Sequence, residues 1–223
     1  LVSKPFPKLT LFVEFDNLSP RVQKRMAKKI QKQLKRNQID CIIETDDDGK
    51  EKLWKIRHAA AAVLAQGEGQ AQALPILDDG IVPIERFNDL LTGIYALCDR
   101  YKLQTGVWGH AGDANMHLQP FMDISQIGDR QRIFRVMDDY YKLIISLGGS
   151  TSGEHGDGRL RAPYLLELYG AELYALLHKV KLAFDPYSTL NPGVKIVVTL
   201  DDINPLLRTE YNQVHLPNHL PQA

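Results

Sequence analysis

The chain has 223 residues, and its 27 lysines and arginines are balanced by 27 aspartates and glutamates, so the formal net charge is zero. A neutral chain lacks the excess of cations that bulk nucleic-acid binding requires. Two cysteines are too few for a disulfide framework and favour a reducing compartment. The longest apolar run, residues 59–65, is far shorter than the roughly 20 residues of a membrane helix. We therefore expect a cytoplasmic protein, either free or peripheral to the inner membrane.

The first quarter of the chain is predicted to form a strand, a helix and a second strand. Ser19 and Pro20 are typical of a helix start, with Ser19 as the N-cap. Apolar residues then recur every fourth position, and the basic residues between them are typical of a solvated helix face. The apolar stripe consists of Val22, Met26, Ile30 and Leu34. The predicted strands are residues 10–15 and 40–44.

The middle of the chain alternates helical and extended patterns. In order we predict a helix over 50–65 that ends at the glycines of 67–69, an extended segment over 73–82, a helix over 83–102, strands over 104–110 and 115–121, and a helix over 127–147. The two strands are close enough in sequence to form a hairpin, which favours a largely antiparallel sheet with helices packed on it. The predicted fold class is α+β, with ferredoxin-like plait elements.

The last third contains a loop, two helices and a tail. Five glycines within residues 148–158 predict a loop with unusual backbone angles. Helices are predicted over 162–168 and 171–184. Residues 201–223 show no clear periodicity and are predicted to be a tail or linker, so the predicted domain covers residues 1–200.

Two histidines flank the predicted hairpin turn. With a two-residue turn at Asp113 and Ala114, His110 lies directly opposite His117, and both imidazoles project from one face. Such a pair can bind a divalent metal, although two ordinary sheet histidines are the alternative. A one-residue error in the turn would separate them. The other residues on this face are Trp108, Asn115 and Gln119.

A carboxylate and a third histidine stand together in the glycine-rich loop. Glu154 could complete a site of two histidines and one carboxylate, which leaves a coordination position open for water or substrate. The alternative is a loop carboxylate that caps the following helix. His155 is a candidate general base, because a histidine pKa can be set near working pH.

One arginine is a candidate for substrate binding. Arg57 lies beside the small, apolar residues 59–65 on a predicted helix. It could bind a carboxylate with both arms of its guanidinium group, or it could be an ordinary surface arginine.

The motifs together resemble the C-terminal (cap) domain of FAD-linked oxidases of the vanillyl-alcohol oxidase superfamily. The most similar branch contains the D-lactate, glycolate and D-2-hydroxyglutarate dehydrogenases. The resemblance covers roughly residues 9–196. It rests on GHAGDANMH at 109–117, SGEHGDGR at 152–159, FDP at 184–186 and LNPGVK at 190–195, with weaker matches at 53–57 and 79–83.

The resemblance implies a role for each matching residue. The positions that match ligands of a divalent metal, usually zinc, are His110, His117 and Glu154. His155 matches the base that takes the hydroxyl proton, and Arg57 matches the arginine that binds the substrate carboxylate. Asn115 and Gln119 are expected to line the substrate site. Asn191 is expected to approach the FAD.

The chain departs from the family pattern at three positions, of which two bear on the substrate. Ala114 stands where many relatives have glycine, which implies a slightly strained left-handed turn. Gln119 stands where the hydroxyglutarate enzymes place an asparagine. Leu77 falls near the sequence position at which those enzymes carry a lysine that binds the distal carboxylate. Without that cation a monocarboxylic 2-hydroxy acid, such as D-lactate, is favoured over a dicarboxylate.

The resemblance also implies what lies outside the chain. Relatives bind FAD mainly through an N-terminal domain, and because the chain starts at Leu1 rather than methionine we expect that domain upstream. The chain alone should then bind little FAD and be inactive. In the full protein the electron acceptor is expected to be iron–sulfur or quinone-linked. The alternatives are a metal-dependent hydrolase and a non-catalytic cap.

Overall fold

A computed structural model describes residues 9–16, 18–65 and 71–207. The chain divides into two compact units, Leu1–Val63 and Leu64–Ala223. The helices are α1 (Pro20–Arg36), α2 (Asp47–Ala65), α3 (Phe87–Tyr101), α4 (Ile127–Ser146), α5 (Leu165–Phe184) and α6 (Leu200–Ile203). The strands are β1 (Gln72–Ala73), β2 (Leu77–Ile81), β3 (Thr105–His110) and β4 (Asn115–Met122).

The first unit confirms the predicted helices but not the predicted strands. Helix α1 begins at Pro20 after Ser19, as expected, although the Ser19 side chain makes no capping hydrogen bond. The strand predictions over 10–15 and 40–44 are wrong, because neither segment is a strand in the structure. Strand-forming side chains produce a strand only where a neighbouring strand completes the backbone ladder.

Helix α2 begins three residues earlier than predicted. The Asp46 carboxylate accepts a hydrogen bond from the backbone N–H of Gly49 at 2.8 Å and so caps the first turn. The predicted stop at the glycines of 67–69 lies outside the described residues.

The second unit is built on an antiparallel sheet in which β4 lies between β2 and β3, while β1 pairs with the last residues of β4. This confirms the α+β class and the predicted hairpin. Helices α3 and α4 bury their apolar faces in the core of this unit, and α4 contributes two fully buried tyrosines, Tyr140 and Tyr141. The close approach of α4 to β2 depends on Gly80, where an added Cβ would lie 2.5 Å from the Tyr140 hydroxyl.

The C-terminal part follows the prediction with two differences. A 3₁₀ turn occupies Ala162–Tyr164, where a helix was predicted to begin. Two helical segments follow, which together are α5, and the non-helical angles of Gly170 (φ 74°, ψ 165°) separate them at the predicted break. The predicted tail begins with the short helix α6, which Thr199 and Asp202 cap reciprocally. Among the described residues, no helix is long and apolar enough to cross a membrane.

Candidate active site and metal centre

The two histidines of the hairpin share one face, but they are not directly opposed. Strand β3 places Trp108 opposite His117 and His110 opposite Asn115, so the predicted register is wrong by two positions. A shift of two positions keeps every side chain on its predicted face, because side chains alternate with a period of two. The His110 and His117 rings therefore still converge, with their centroids 5.6 Å apart.

The register differs because the connection is longer than a two-residue turn. Residues 111–113 form a 3₁₀ turn, and Ala114 follows in the left-handed region with φ of 53°. The sequence suggested this left-handed position, which is mildly strained for a residue with a side chain. Ala114 is fully buried and ends the turn where β4 begins.

Three imidazoles converge on one carboxylate oxygen. Oε1 of Glu154 lies 3.0 Å from Nε2 of His117 and 3.4 Å from Nε2 of His110. It also lies 3.5 Å from Nε2 of His155. The His117 side chain is only 4% exposed, whereas those of the other three residues are 46–48% exposed. The cluster thus has a buried floor and a side that is open to solvent.

Asp78, which the sequence analysis did not single out, joins two of these imidazoles. Its Oδ1 accepts a hydrogen bond from Nδ1 of His117, and its Oδ2 accepts one from Nδ1 of His155, both at 2.8 Å. Burial would raise the pKa of Asp78, but these hydrogen bonds outweigh it and lower the pKa. The hydrogen bond to Asp78 is in turn the main reason why the pKa of His117 is raised.

A second aspartate, Asp79, holds the loop that carries Glu154 and His155. Its carboxylate accepts hydrogen bonds from the backbone N–H groups of both residues, at 3.0 Å and 2.8 Å. It also accepts from the Ser152 hydroxyl at 2.8 Å and the Asn115 amide at 3.1 Å. Asp79 therefore fixes the loop onto the strands that carry the histidines.

The donor set fits a divalent metal. Ligand atoms of four residues, Asp79, His117, Glu154 and His155, lie within 4.8 Å of one another. Imidazole nitrogens with one carboxylate are typical zinc ligands, and metal-binding histidines usually donate their other N–H to a carboxylate such as Asp78. The oxygens of Asp79 already accept hydrogen bonds from four donors, so we assign this residue to the loop rather than to the metal.

The remaining predicted site residues are distributed as follows. Gln119 is partly buried on β4, two positions beyond His117 and on the same face. Asn191 is exposed and has a left-handed φ of 47°. Arg57 is partly buried on α2, in the first compact unit.

A family model described as "FAD linked oxidases, C-terminal domain" matches residues 5–194. The chain belongs to this family.

Relatives of this FAD-linked oxidase domain are named for three substrates. The chain is 36% identical to a D-2-hydroxyglutarate dehydrogenase of Escherichia coli (strain K12), over 65% of the chain and 14% of that protein. It is 29% identical to glycolate oxidase subunit GlcD of the same strain, over 95% of the chain and 40% of the subunit. It is 30% identical to the mitochondrial D-lactate dehydrogenase [cytochrome] of Kluyveromyces lactis, over 82% of the chain and 32% of the enzyme. The chain thus spans well under half the length of these relatives.

One signal in the sequence could have revealed the two aspartates. Asp78 and Asp79 are adjacent carboxylates within the otherwise apolar run 74–82, which forms strand β2 and its flanks. Buried carboxylates are uncommon unless they are paired, so two in one apolar strand predict partners nearby. Those partners are the two histidines and the backbone of the glycine-rich loop.

Acid should weaken the link between Asp79 and the loop. Burial would raise the pKa of Asp79, but its hydrogen-bond donors lower it to about 2. A lowered pKa contributes stability that is complete above the ordinary value near 4 and is lost as the pH falls towards 2, roughly 2 kcal/mol in all. In urea unfolding between pH 6 and 2, the stability difference between wild type and Asp79→Asn should therefore shrink below pH 4. A difference that does not change with pH would contradict this.

Gly153→Ala should disturb the same link from the loop side. An added Cβ would lie 2.0 Å from Nδ2 of Asn115, which must then move away from Asp79. We expect a loss of roughly 1–3 kcal/mol in stability and weaker metal binding, measured by urea unfolding and zinc titration. Gly128→Ala is the matched control, because no atom lies within 4 Å of its added Cβ. Equal behaviour of the two variants would contradict the expectation.

Proposed function

We propose that the chain is the substrate- and metal-binding domain of a flavin-dependent dehydrogenase. The full protein would oxidise a 2-hydroxy acid, of the D-lactate type, to the 2-oxo acid and pass the hydride to FAD. The observation that carries the proposal is the convergence of His110, His117 and His155 on Glu154 at the open side of the cluster. The relatives described above are all named for 2-hydroxy acids, which supports this class of substrate.

The metal would be held by His110, His117 and Glu154. A divalent cation held there, with zinc as the proposed ion, would lower the pKa of a bound substrate hydroxyl group. The residues themselves leave the open side of the cluster free for that hydroxyl. The buried His117 fixes the inner ligand position, since its ring is almost inaccessible to solvent.

His155 is proposed to accept the hydroxyl proton. Its Nδ1 donates to Asp78, so its Nε2 carries a lone pair towards the cluster. As the hydride leaves the α-carbon, the hydroxyl proton passes to this Nε2 and the C–O bond becomes a carbonyl. FAD, bound mainly by a part of the protein outside this chain, supplies the two-electron acceptor.

The other predicted residues are proposed to place the substrate. Arg57 would bind its carboxylate, and Asn115 and Gln119 would line the site. Asn191 is proposed to approach the FAD, and the final acceptor is proposed to be iron–sulfur or quinone-linked.

The monocarboxylic substrate is proposed because Leu77 falls near the position where the hydroxyglutarate enzymes carry a lysine. Leu77 is 1% exposed and pairs with Leu118 on the core face of the sheet, so this position brings no charge to the cluster. Moving a distal carboxylate from water into a site without a cation costs free energy, and this cost weakens the binding of a dicarboxylate.

The test is a redox-dye assay of the full-length protein, with elemental analysis for the metal. We expect dye reduction with D-lactate, about one equivalent of zinc, and a lower kcat/KM for D-2-hydroxyglutarate. Glycolate is the third substrate, and L-lactate is the stereochemical control. A higher kcat/KM for D-2-hydroxyglutarate would overturn the proposed substrate. No dye reduction with any 2-hydroxy acid, or hydrolysis without flavin, would overturn the proposed function.

A further inference from the structure

We propose that Asp78 is a positioning residue that sets the tautomer of two imidazoles, His117 and His155, with one carboxylate. This rests on the proposed function, in which the first imidazole is a metal ligand and the second is the base. The carboxylate is buried, with the side chain 11% exposed, and each of its oxygens lies 2.8 Å from one Nδ1 atom. One residue would thus prepare both the metal-binding and the proton-accepting nitrogen.

The tautomer follows from the chemistry of the acceptor. An ionised carboxylate can only accept hydrogen bonds, so Nδ1 of each histidine must be the donor. A neutral imidazole carries one proton, which leaves a lone pair on each Nε2. Both Nε2 atoms face Oε1 of Glu154, at 3.0 Å and 3.5 Å. The His117 and His155 rings are nearly parallel, with centroids 5.0 Å apart, as two rings held by one carboxylate should be.

The rest of the protein holds Asp78 in place. Its backbone carbonyl accepts hydrogen bonds from Nε and Nη2 of Arg161, at 3.2 Å and 3.1 Å, and from the Tyr141 hydroxyl at 3.3 Å. Nη2 of Arg161 also lies 3.5 Å from Oδ2 of Asp78. Both Arg161 and Tyr141 are buried, so their hydrogen bonds hold the backbone of Asp78 and thereby limit the movement of its carboxylate.

The variant Asp78→Asn separates this role from simple packing. Its amide has nearly the same shape but offers one acceptor oxygen and one donor NH₂ group. The oxygen can accept from one imidazole only. The other imidazole must accept from the NH₂ group at Nδ1 and carry its own proton on Nε2, where it faces Glu154. That ring can then neither bind a metal nor accept a proton at Nε2.

The first measurement is the tautomer in the metal-free chain, from long-range ¹H–¹⁵N spectra of ¹⁵N-histidine protein. Because the pKa of His117 is raised, the pH is increased until neither ring changes further, so that both imidazoles are neutral. The two rings are assigned with His117→Gln and His155→Gln. We expect Nδ1–H for both rings in wild type and Nε2–H for one ring in Asp78→Asn. Nε2–H for either ring in wild type would overturn the proposal, even if the variant does not fold.

The second measurement is zinc binding by direct titration. We expect Asp78→Asn to bind zinc about 10- to 100-fold more weakly than wild type, with unchanged circular dichroism. Asp113→Asn is the matched control, because Asp113 is exposed in the nearby 3₁₀ turn. Wild-type zinc affinity and unchanged tautomers in Asp78→Asn would overturn the inference. A wild-type protein that binds no metal but shows both Nδ1–H rings would overturn the metal part of the proposed function and leave the tautomer assignment standing.

Discussion

His155→Asn in the full-length protein is expected to lower kcat by roughly 10²- to 10⁴-fold, the usual contribution of a general base. The amide of the variant can still form a hydrogen bond with Asp78, but it has no basic nitrogen to accept the hydroxyl proton. The metal should stay bound, because His110, His117 and Glu154 remain. The measurements are single-turnover flavin reduction with D-lactate and the zinc content of the same sample.

Metal content decides what a loss of activity in this variant means. Nε2 of His155 is only 3.5 Å from Oε1 of Glu154, so the geometry also permits His155 to be a ligand. Loss of zinc together with activity would make it a ligand rather than the base. Near-normal flavin reduction would exclude it as the base. His178→Asn, on α5 and outside the cluster, is the control and should keep both activity and zinc.

Local patterns in the sequence were sufficient for the parts of the fold that depend on local forces. The helix start at Pro20, which follows Ser19, and the break at Gly170 follow from the backbone preferences of proline and glycine, and the structure confirms both positions. The segments 10–15 and 40–44 have the residues of a strand, but a strand also needs a partner ladder that no single segment contains. Local composition could not supply that information.

The histidine pair shows why a wrong register can still give the right face. The sequence does not reveal that residues 111–113 form a 3₁₀ turn, so the predicted pairing was displaced by two positions. Only an odd shift would have moved His110 or His117 to the other face. The convergence of the two rings was therefore predictable, whereas their diagonal arrangement was not.

Asp78 could not be assigned from spacing alone. It is 39 residues from His117 and 77 residues from His155, so only the folded sheet brings the three together. The resemblance covered residues 79–83 but gave no role to the aspartate before them. Its partners become apparent only when β2 is paired with β4 and the glycine-rich loop is bound to Asp79.

Glu154→Gln is expected to have the largest effect on the metal. The substitution keeps the shape of the side chain but removes the only carboxylate among the three proposed ligands, and with it the negative charge beside three imidazoles. We expect zinc affinity to fall by at least ~100-fold, more than when a partner of a ligand is removed. Flavin reduction in the full-length protein should fall with it, and added zinc should restore part of it if the remaining histidines still bind weakly.

Glu172→Gln, an exposed position on α5, is the matched control for the loss of one charge and should keep full zinc content. The comparison also separates the metal from the base, because His155→Asn should lose turnover with zinc retained, whereas Glu154→Gln should lose zinc first. If Glu154→Gln keeps one equivalent of zinc, Glu154 is not a ligand and other residues hold the metal. The contact between Oε1 of Glu154 and His117 is then an ion pair of the metal-free chain, which agrees with the raised pKa of an imidazole that lies between Asp78 and Glu154.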